Sequence, residues 1–133
     1  MIDKEIIKIA SNTENCGMLA DYTHSSKLKN TICGDEMKVY LIVKNNKIQD
    51  FKYESESCIY CQASVSLLSR KSINKSINSI KELLYFVETF FEKDQSVFPK
   101  EWSVFNKLFN KKNISRKECL MLPFKTISKA LKL

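Results

Sequence analysis

The sequence has little of what marks fibrous, unfolded or membrane-spanning chains. It contains two glycines, two prolines and one histidine among 133 residues, and 44% of its residues are hydrophobic. This composition excludes collagen-like, low-complexity and intrinsically disordered classes. The longest uninterrupted apolar runs, 39–43 and 83–87, have five residues each, far below the roughly 20 that cross a bilayer. The length suits one compact unit, so we expect residues 1–133 to form a single domain.

The N-terminus also lacks the features of a targeting segment. Its first five residues, Met1-Ile2-Asp3-Lys4-Glu5, include two acids. A secretory signal would be basic and then apolar at this point, and organelle transit peptides are poor in acids. We therefore expect a cytoplasmic protein with no membrane partner.

The net charge of +7 is concentrated at one end of the chain. Residues 1–99 hold 13 basic and 13 acidic groups, whereas residues 100–133 hold 9 basic and 2 acidic groups. A basic end of this kind suits nucleic acid, an anionic lipid or an acidic protein. Lysine supplies 20 of the 22 basic residues, however, and phosphate recognition favours arginine forks with interleaved aromatics. The composition therefore argues against nucleic acid, and a basic nucleic-acid adaptor built on Lys100 to Lys132 is a minor alternative.

Strand signals come first along the chain. Residues 37–43 are rich in β-branched and aromatic side chains, and a second strand is predicted from Lys47 to about Glu54. Between them lies Asn45-Asn46, a pair that tolerates the positive backbone angles of a tight hairpin. A weaker strand is predicted within residues 18–28, and a short amphipathic helix within residues 1–10.

Helical patterns fill the second half. Residues 58–70 combine apolar positions with small Ala and Ser, and this pattern predicts a closely packed helix. Apolar residues between Ile77 and Phe91 recur on one helical face. A shorter helix is predicted after Pro99, and a final helix from Cys119 to Leu131 with Pro123 near its first turn. The predicted fold class is therefore α+β, a small three-stranded antiparallel sheet with helices packed on one face.

The chain has five cysteines, an odd number that a disulfide framework in a reducing compartment does not explain. They are Cys16, Cys33, Cys58, Cys61 and Cys119. Metal or thiol chemistry competes with the simpler interpretation that each is a small buried apolar residue. Cys58-Ile59-Tyr60-Cys61 has the spacing of half a zinc site or of a redox pair. The sequence holds no second C-x-x-C, and no parallel βαβ pattern supports the redox interpretation.

Cys33-Gly34-Asp35 places a thiol and a carboxylate on either side of a glycine that can make a tight bend. Thiolate and carboxylate together suit a borderline-soft cation. Cys58 and Cys119 open predicted helices, whose N-termini stabilise a thiolate and lower its pKa. Three such sulfurs and one carboxylate can complete a tetrahedral site with metal–sulfur bonds of about 2.3 Å. Spacing alone leaves the interpretation as buried structural thiols open.

Taken in order, these motifs resemble those of the U-type iron–sulfur cluster assembly scaffolds, which comprise NifU N-terminal-like, IscU-like and SufU-like proteins. Residues 30–39 resemble the family's N-P-x-C-G-D segment, and residues 58–69 its helix of the form G-C-x-x-S-x-A-S-x-S. Residues 116–124 are similar to its R-x-x-C-x-x-L-x-W/F segment. Sixty residues separate the second and third cysteines of these motifs. This length resembles the SufU-like branch, whose extra segment would be Lys93 to Asn113 here.

The resemblance implies an α+β scaffold that holds zinc or iron in one state and a transient iron–sulfur cluster or a persulfide in another. The implied site residues are Cys33, Asp35, Cys58 and Cys119. The implied partners are a cysteine desulfurase, for whose sulfur Cys119 is our candidate persulfide acceptor, and downstream proteins that accept the cluster. Two alternatives stay open: a zinc-dependent sulfurtransferase without cluster scaffolding, and an inert zinc-stabilised interaction domain. The basic tail and the segment bearing Trp102 are candidate docking surfaces for an acidic partner.

The sequence departs from the family pattern around these motifs. Ser57 replaces the glycine that usually precedes the second cysteine, and Thr31 stands where proline is common. Glu118 replaces the histidine of IscU-like members; it is either an additional oxygen ligand or a solvent-facing residue, and we favour solvent because charged residues are mostly exposed. Cys61 occupies a position that is commonly serine; it is either a fourth thiol one helical turn from Cys58 or a residue packed against the sheet, and we favour packing. Cys16 also departs from the pattern and is assigned no role.

Overall fold

The fold is seen in a computed structural model that describes residues 3–92 and 97–133. The elements follow one another as α1 (Lys4–Ala10), β1 (His24–Lys29), β2 (Glu36–Lys44), β3 (Lys47–Glu56), α2 (Ile59–Ser72), α3 (Ile77–Phe90), two 3₁₀ helices (Lys100–Lys107 and Lys111–Arg116) and α4 (Lys117–Leu131). The sheet is three-stranded and antiparallel with strand order β1-β2-β3. The predicted α+β class is confirmed.

The sheet is built around one tight hairpin. Asn45 and Asn46 have φ values of 54° and 60°, the left-handed angles that a two-residue turn between β2 and β3 needs. β1 pairs with the other edge of β2 but begins at His24, so residues 18–23 of the predicted strand lie outside it. The Thr23 hydroxyl accepts the Val43 amide at 2.8 Å. The Thr23 side chain therefore takes the place of a backbone acceptor for the Val43 amide, and the pairing between β1 and β2 ends at this point.

One face of the sheet is covered by helices. Apolar residues of β2 and β3 are buried here, alternating along each strand except at the register shift between Ile48 and Phe51: Met37, Val39, Leu41, Ile48, Phe51 and Tyr53. α2 and α4 pack against it, and α2 is buried on nearly all sides because its Ala and Ser side chains allow close approach. The Ser64 hydroxyl donates to the Leu120 carbonyl of α4 at 2.6 Å. The two helices that carry site cysteines are thus tied together directly.

The segment between α3 and α4 packs as an aromatic cluster. Of the predicted extra segment, residues 93–96 lie outside the described residues, and the remainder contains the two 3₁₀ helices. Phe98, Phe105 and Phe109 pack against one another, and Phe98 and Phe109 also pack against Phe90 of α3, with ring centroids 5.3 to 6.5 Å apart. Trp102 is only 3% exposed. The Trp102 indole therefore belongs to this core, while the expectation that the segment bearing it offers a docking surface stays a prediction.

α4 begins at Lys117, two residues before the predicted start, and Pro123 is its seventh residue. The expectation that Pro123 lies near the first turn is therefore wrong. Since proline has no amide hydrogen, the carbonyl of Cys119 cannot receive the usual helical bond from position 123. The helix tolerates this loss because Pro123 is buried among core residues. Among the helices of residues 3–92 and 97–133, none is both long and apolar enough to cross a membrane.

Candidate functional site

A tight bend before β2 presents the first two predicted site residues. Gly34 has a φ of +79°, a backbone angle that glycine adopts without strain. Its amide donates to the Asn30 carbonyl at 2.7 Å, and the Asn30 amide donates to the Asp35 carbonyl at 2.7 Å. The bend leaves Cys33 exposed at its tip and turns Asp35 inward, where it is 7% exposed.

Cys58 stands at the start of α2 and meets the same bend. It is the N-cap residue, half-buried, with an extended backbone (φ −70°, ψ 167°). Its amide donates to the Asp35 carboxylate oxygen Oδ1 at 3.3 Å. The carboxylate thus joins the loop before β2 to the start of the central helix.

Cys119 lies in the first turn of α4 and is buried. After burial, interaction with the Cys58 thiol also raises the pKa of the Cys119 thiol. The start of α4 is also held to the start of α2 by the Arg116 guanidinium, which lies over the Tyr60 ring at 5.2 Å from its centroid. Sequence reasoning missed this contact, since no pattern in the chain pairs residues so far apart.

Three of the four predicted ligands converge on one point. The sulfurs of Cys33 and Cys119 and a carboxylate oxygen of Asp35 all lie within 4.8 Å of one another. Ligand atoms on a tetrahedral zinc with bonds of about 2.3 Å would be about 3.8 Å apart, so a contraction of about 1 Å closes the group on a cation. The Cys58 sulfur is not one of the atoms in this group, and Cys58 is joined to it through the bond from its amide to Asp35 Oδ1 at 3.3 Å. The assignment of all four as metal or cluster ligands stays a prediction.

The site holds an unpaired buried acceptor. Asp35 Oδ2 is buried and has no hydrogen-bond partner within the described part of the chain. A buried carboxylate oxygen without a donor is costly unless it meets a proton, a donor or a metal. The donor set therefore fits a cation of zinc or ferrous type, which thiolate and carboxylate ligands both suit.

Burial keeps the deeper thiols protonated when no cation is bound. Burial, and next the hydrogen bond with Cys58, raise the pKa of the Cys119 thiol. This direction is opposite to the one expected from the start of a helix, because desolvation outweighs the helix terminus here. Burial likewise raises the pKa of the Cys61 thiol to about 12. A bound cation would reverse this balance, since coordination deprotonates a thiol.

The structure also gives the positions of three residues that depart from the family pattern, Cys61, Glu118 and Cys16. Cys61 is 0% exposed within the core, as expected for a packed residue. Glu118 pairs with Lys125 at 3.3 Å at the partly exposed surface, in keeping with a solvent-facing role. Cys16 is exposed, and its backbone bridges to Tyr53 at the outer edge of β3.

Comparisons with known proteins agree with this architecture. A family model described as the NifU-like N-terminal domain matches residues 1–92. The chain belongs to this family. The Thermotoga maritima iron–sulfur cluster assembly scaffold protein IscU is 30% identical to this NifU-like chain over 132 residues, which cover 99% of the chain and 93% of that relative. An Archaeoglobus fulgidus relative, iron–sulfur cluster assembly scaffold protein IscU 1, is 29% identical over 77 residues, covering 58% of the chain and 50% of the relative.

Solved structures share the NifU-like fold. The N-terminal part of a NifU-like protein from Brucella abortus superposes with a TM-score of 0.90 at 20% identity, covering 98% of this chain and 91% of that one. FiSufU from the thermophile Fervidobacterium islandicum AW-1, proposed as an iron–sulfur cluster assembly scaffold for the SUF system, superposes with a TM-score of 0.88 at 25% identity. That superposition covers 98% of this chain and 96% of FiSufU. The expected resemblance to NifU-like and SufU-like scaffolds is confirmed.

Proposed function

We propose that this NifU-like protein is an iron–sulfur cluster assembly scaffold that accepts sulfur from a cysteine desulfurase in the cytoplasm. The observation that carries the proposal is the meeting of Cys33, Asp35 and Cys119 within 4.8 Å. Cys58 completes the ligand set from the start of α2. The scaffold names of the IscU relatives, one of which matches 99% of this chain, support the same function.

The proposed site suits a cargo that must be held and then released. Three thiolates bind iron or zinc firmly, and Asp35 supplies one harder oxygen ligand whose bond exchanges more easily. Zinc, when bound, would keep the thiols deprotonated and protected from oxidation. Cys33 is exposed at the tip of its loop, so the point of convergence is open to partners on one side.

Sulfur transfer to this site is a thiol exchange. The Cys119 sulfur gives up its proton as it attacks the outer sulfur of the desulfurase persulfide; this sulfur passes to Cys119, and the desulfurase sulfur leaves and takes up a proton. Ile32, 84% exposed beside Cys33, lines a groove of about 320 Å³ together with Glu118 and Leu122. We propose that the desulfurase, and later the acceptor of the finished cluster, approach from this side.

The decisive experiment is anaerobic incubation of the protein with a cysteine desulfurase, cysteine and ferrous iron. We expect a persulfide mass on the protein before iron is added and visible absorption of an iron–sulfur cluster afterwards. We expect Cys33→Ala, Cys58→Ala and Cys119→Ala each to reduce cluster absorption severely, whereas Cys16→Ser behaves as the parent. If neither signal appears in the parent, the scaffold function is wrong.

The same experiment separates the alternatives. A persulfide without cluster absorption indicates a zinc-dependent sulfurtransferase that builds no cluster. A zinc ion that neither the desulfurase nor a chelator removes, with unfolding on its eventual removal, indicates an inert zinc-stabilised domain.

A further inference from the structure

The proposed scaffold function leaves one thiol beside the site unused. Cys61 is the third residue of α2, and Cys58 is its N-cap. The two cysteines are three residues apart, the spacing that places side chains on the same side of a helix. Cys58 is half-buried, and Cys61 is fully buried behind it. The pair therefore has an outer and an inner sulfur at the start of one helix.

The charges of other site residues also act on the Cys61 thiol. Burial raises the pKa of the Cys61 thiol, interaction with the Ser57 hydroxyl lowers it, and the charges of Asp35, Cys58 and Cys33 raise it. The Asp35 carboxylate near this pair keeps a buried oxygen, Oδ2, without a partner among residues 3–92 and 97–133.

Scaffold chemistry also needs electrons. A desulfurase delivers sulfur at the oxidation level of a persulfide, whereas a cluster contains sulfide, so each sulfane sulfur must gain two electrons. A pair of thiols provides two electrons when it closes to a disulfide.

Building on the proposed function, we propose that Cys61 is a resolving thiol that releases the persulfide sulfur of Cys58 as sulfide. The sulfur received by Cys119 first passes to the Cys58 thiol, giving Cys119–SH and Cys58–S–SH. The Cys61 sulfur then attacks the inner sulfur of this persulfide. The persulfide S–S bond breaks, the Cys58–Cys61 disulfide forms, and hydrogen sulfide leaves with the Cys61 proton. In this step the sulfurs of Cys58 and Cys61 together lose two electrons, and the sulfane sulfur gains them. An external dithiol then reduces the Cys58–Cys61 disulfide back to two thiols.

The test uses metal-free full-length protein under anaerobic conditions, charged either by a desulfurase with cysteine or by inorganic polysulfide. After removal of the reagents, released sulfide is measured and the protein is alkylated and digested with trypsin. Cleavage at Lys and Arg places Cys58 and Cys61 together in peptide 53–70 and Cys119 in peptide 118–125. A Cys58–Cys61 disulfide therefore appears as loss of two hydrogens within one peptide, whereas a Cys58–Cys119 disulfide cross-links two.

We expect the parent to release its sulfur as sulfide while peptide 53–70 loses two hydrogens. Cys61→Ser and Cys61→Ala should keep the persulfide and release sulfide at least about tenfold more slowly. Cys16→Ser, which removes another thiol that departs from the family pattern, should match the parent. Because the mapping uses the parent, the test does not depend on the folding of a variant.

The inference is overturned if sulfide release in both Cys61 variants equals that of the parent, if peptides 53–70 and 118–125 become cross-linked instead, or if the parent retains its persulfide. Retention after charging by the desulfurase leaves the proposed scaffold function standing. Conversely, if polysulfide but not the desulfurase charges the parent, and peptide 53–70 then closes, the resolving chemistry stands and sulfur acceptance from a desulfurase is wrong.

Discussion

Asp35 is buried at the centre of the site with only part of its hydrogen-bonding capacity used. Its Oδ1 accepts the Cys58 amide at 3.3 Å, while Oδ2 has no partner in the described structure. In the absence of a cation, the fold therefore carries a carboxylate that is poorly compensated for its loss of water. A desolvation cost of this kind is expected for a residue whose role is to bind a ligand and not to stabilise the fold.

Asp35→Asn should separate the effect of Asp35 on the stability of the metal-free protein from its role in binding a cation. The amide keeps an oxygen for the Cys58 N–H bond and removes the charge, so we expect the metal-free variant to unfold at higher urea, with a gain of about 1 kcal/mol. The increase in stability on adding zinc should shrink, because one ligand is lost. Asp21→Asn, at an exposed position, is the matched control and should change neither quantity. Lower stability of the metal-free Asp35→Asn protein would contradict this account of Asp35.

The buried Cys61 thiol should make the free energy of unfolding fall as the pH rises into the alkaline range. Burial raises the pKa of its thiol from the ordinary 9.0 to about 12, so the folded state holds the proton that the unfolded state releases. The contribution is fully present below pH 9 and is lost as the pH rises towards 12. Over that range the cost approaches about 1.4 kcal/mol per pH unit.

Urea unfolding of the metal-free parent and of Cys61→Ser, each at pH 8 and pH 10, measures this dependence. We expect the parent to lose about 1 kcal/mol more than the variant between the two pH values. Equal losses would mean that the Cys61 thiol is not shielded from water in solution.

At the scale of elements, the site depends on how the starts of α2 and α4 meet. Two contacts fix this meeting: the buried bond from the Ser64 hydroxyl to the Leu120 carbonyl at 2.6 Å, and the Arg116 guanidinium over the Tyr60 ring at 5.2 Å. The first ties the helices in the core, and the second ties them at the partly exposed edge beside Cys119. Cys58 and Cys119 become neighbours because of this packing.

Tyr60→Leu and Tyr60→Phe form a matched pair that tests the second contact. Phe keeps the aromatic face that attracts the guanidinium, whereas Leu keeps only apolar bulk. We expect Tyr60→Leu to lose about 0.5 to 1 kcal/mol of stability and to bind zinc several-fold more weakly, because Cys119 is held less firmly. Tyr60→Phe should resemble the parent in competition titrations with a chromophoric chelator. If both variants bind zinc equally well, the contact does not organise the site.

At the scale of the whole molecule, sequence reasoning succeeded where local rules decide the structure. The Asn45-Asn46 turn and the apolar stripe of α3 follow from backbone angles and periodicity, and both are found as predicted. It failed where distant contacts decide. Pro123 lies inside α4, beyond its first turn, and the neighbouring positions in the sequence do not reveal the tertiary packing around it.

The site shows the same division. The bend at Gly34 and the helix start at Cys58 were predictable from local motifs, and they are found there. The meeting of Cys33 and Asp35 with Cys119 depends on the docking of α4 across the sheet, which spacing does not specify. The rise in the pKa of Cys119 was also missed, because the depth of burial is a property of the whole fold.

A titration of the metal-free protein with cobalt(II) under anaerobic conditions tests the central claim most directly, because thiolate ligands and tetrahedral geometry each give cobalt distinct absorption. We predict one cobalt ion per chain, with intense thiolate-to-cobalt charge transfer and tetrahedral visible bands. These should weaken in Cys33→Ala, Cys58→Ala and Cys119→Ala, shift in Asp35→Asn and persist in Cys16→Ser. A parent spectrum without thiolate bands, or one that the three cysteine substitutions leave unchanged, would contradict convergence of these side chains on one cation.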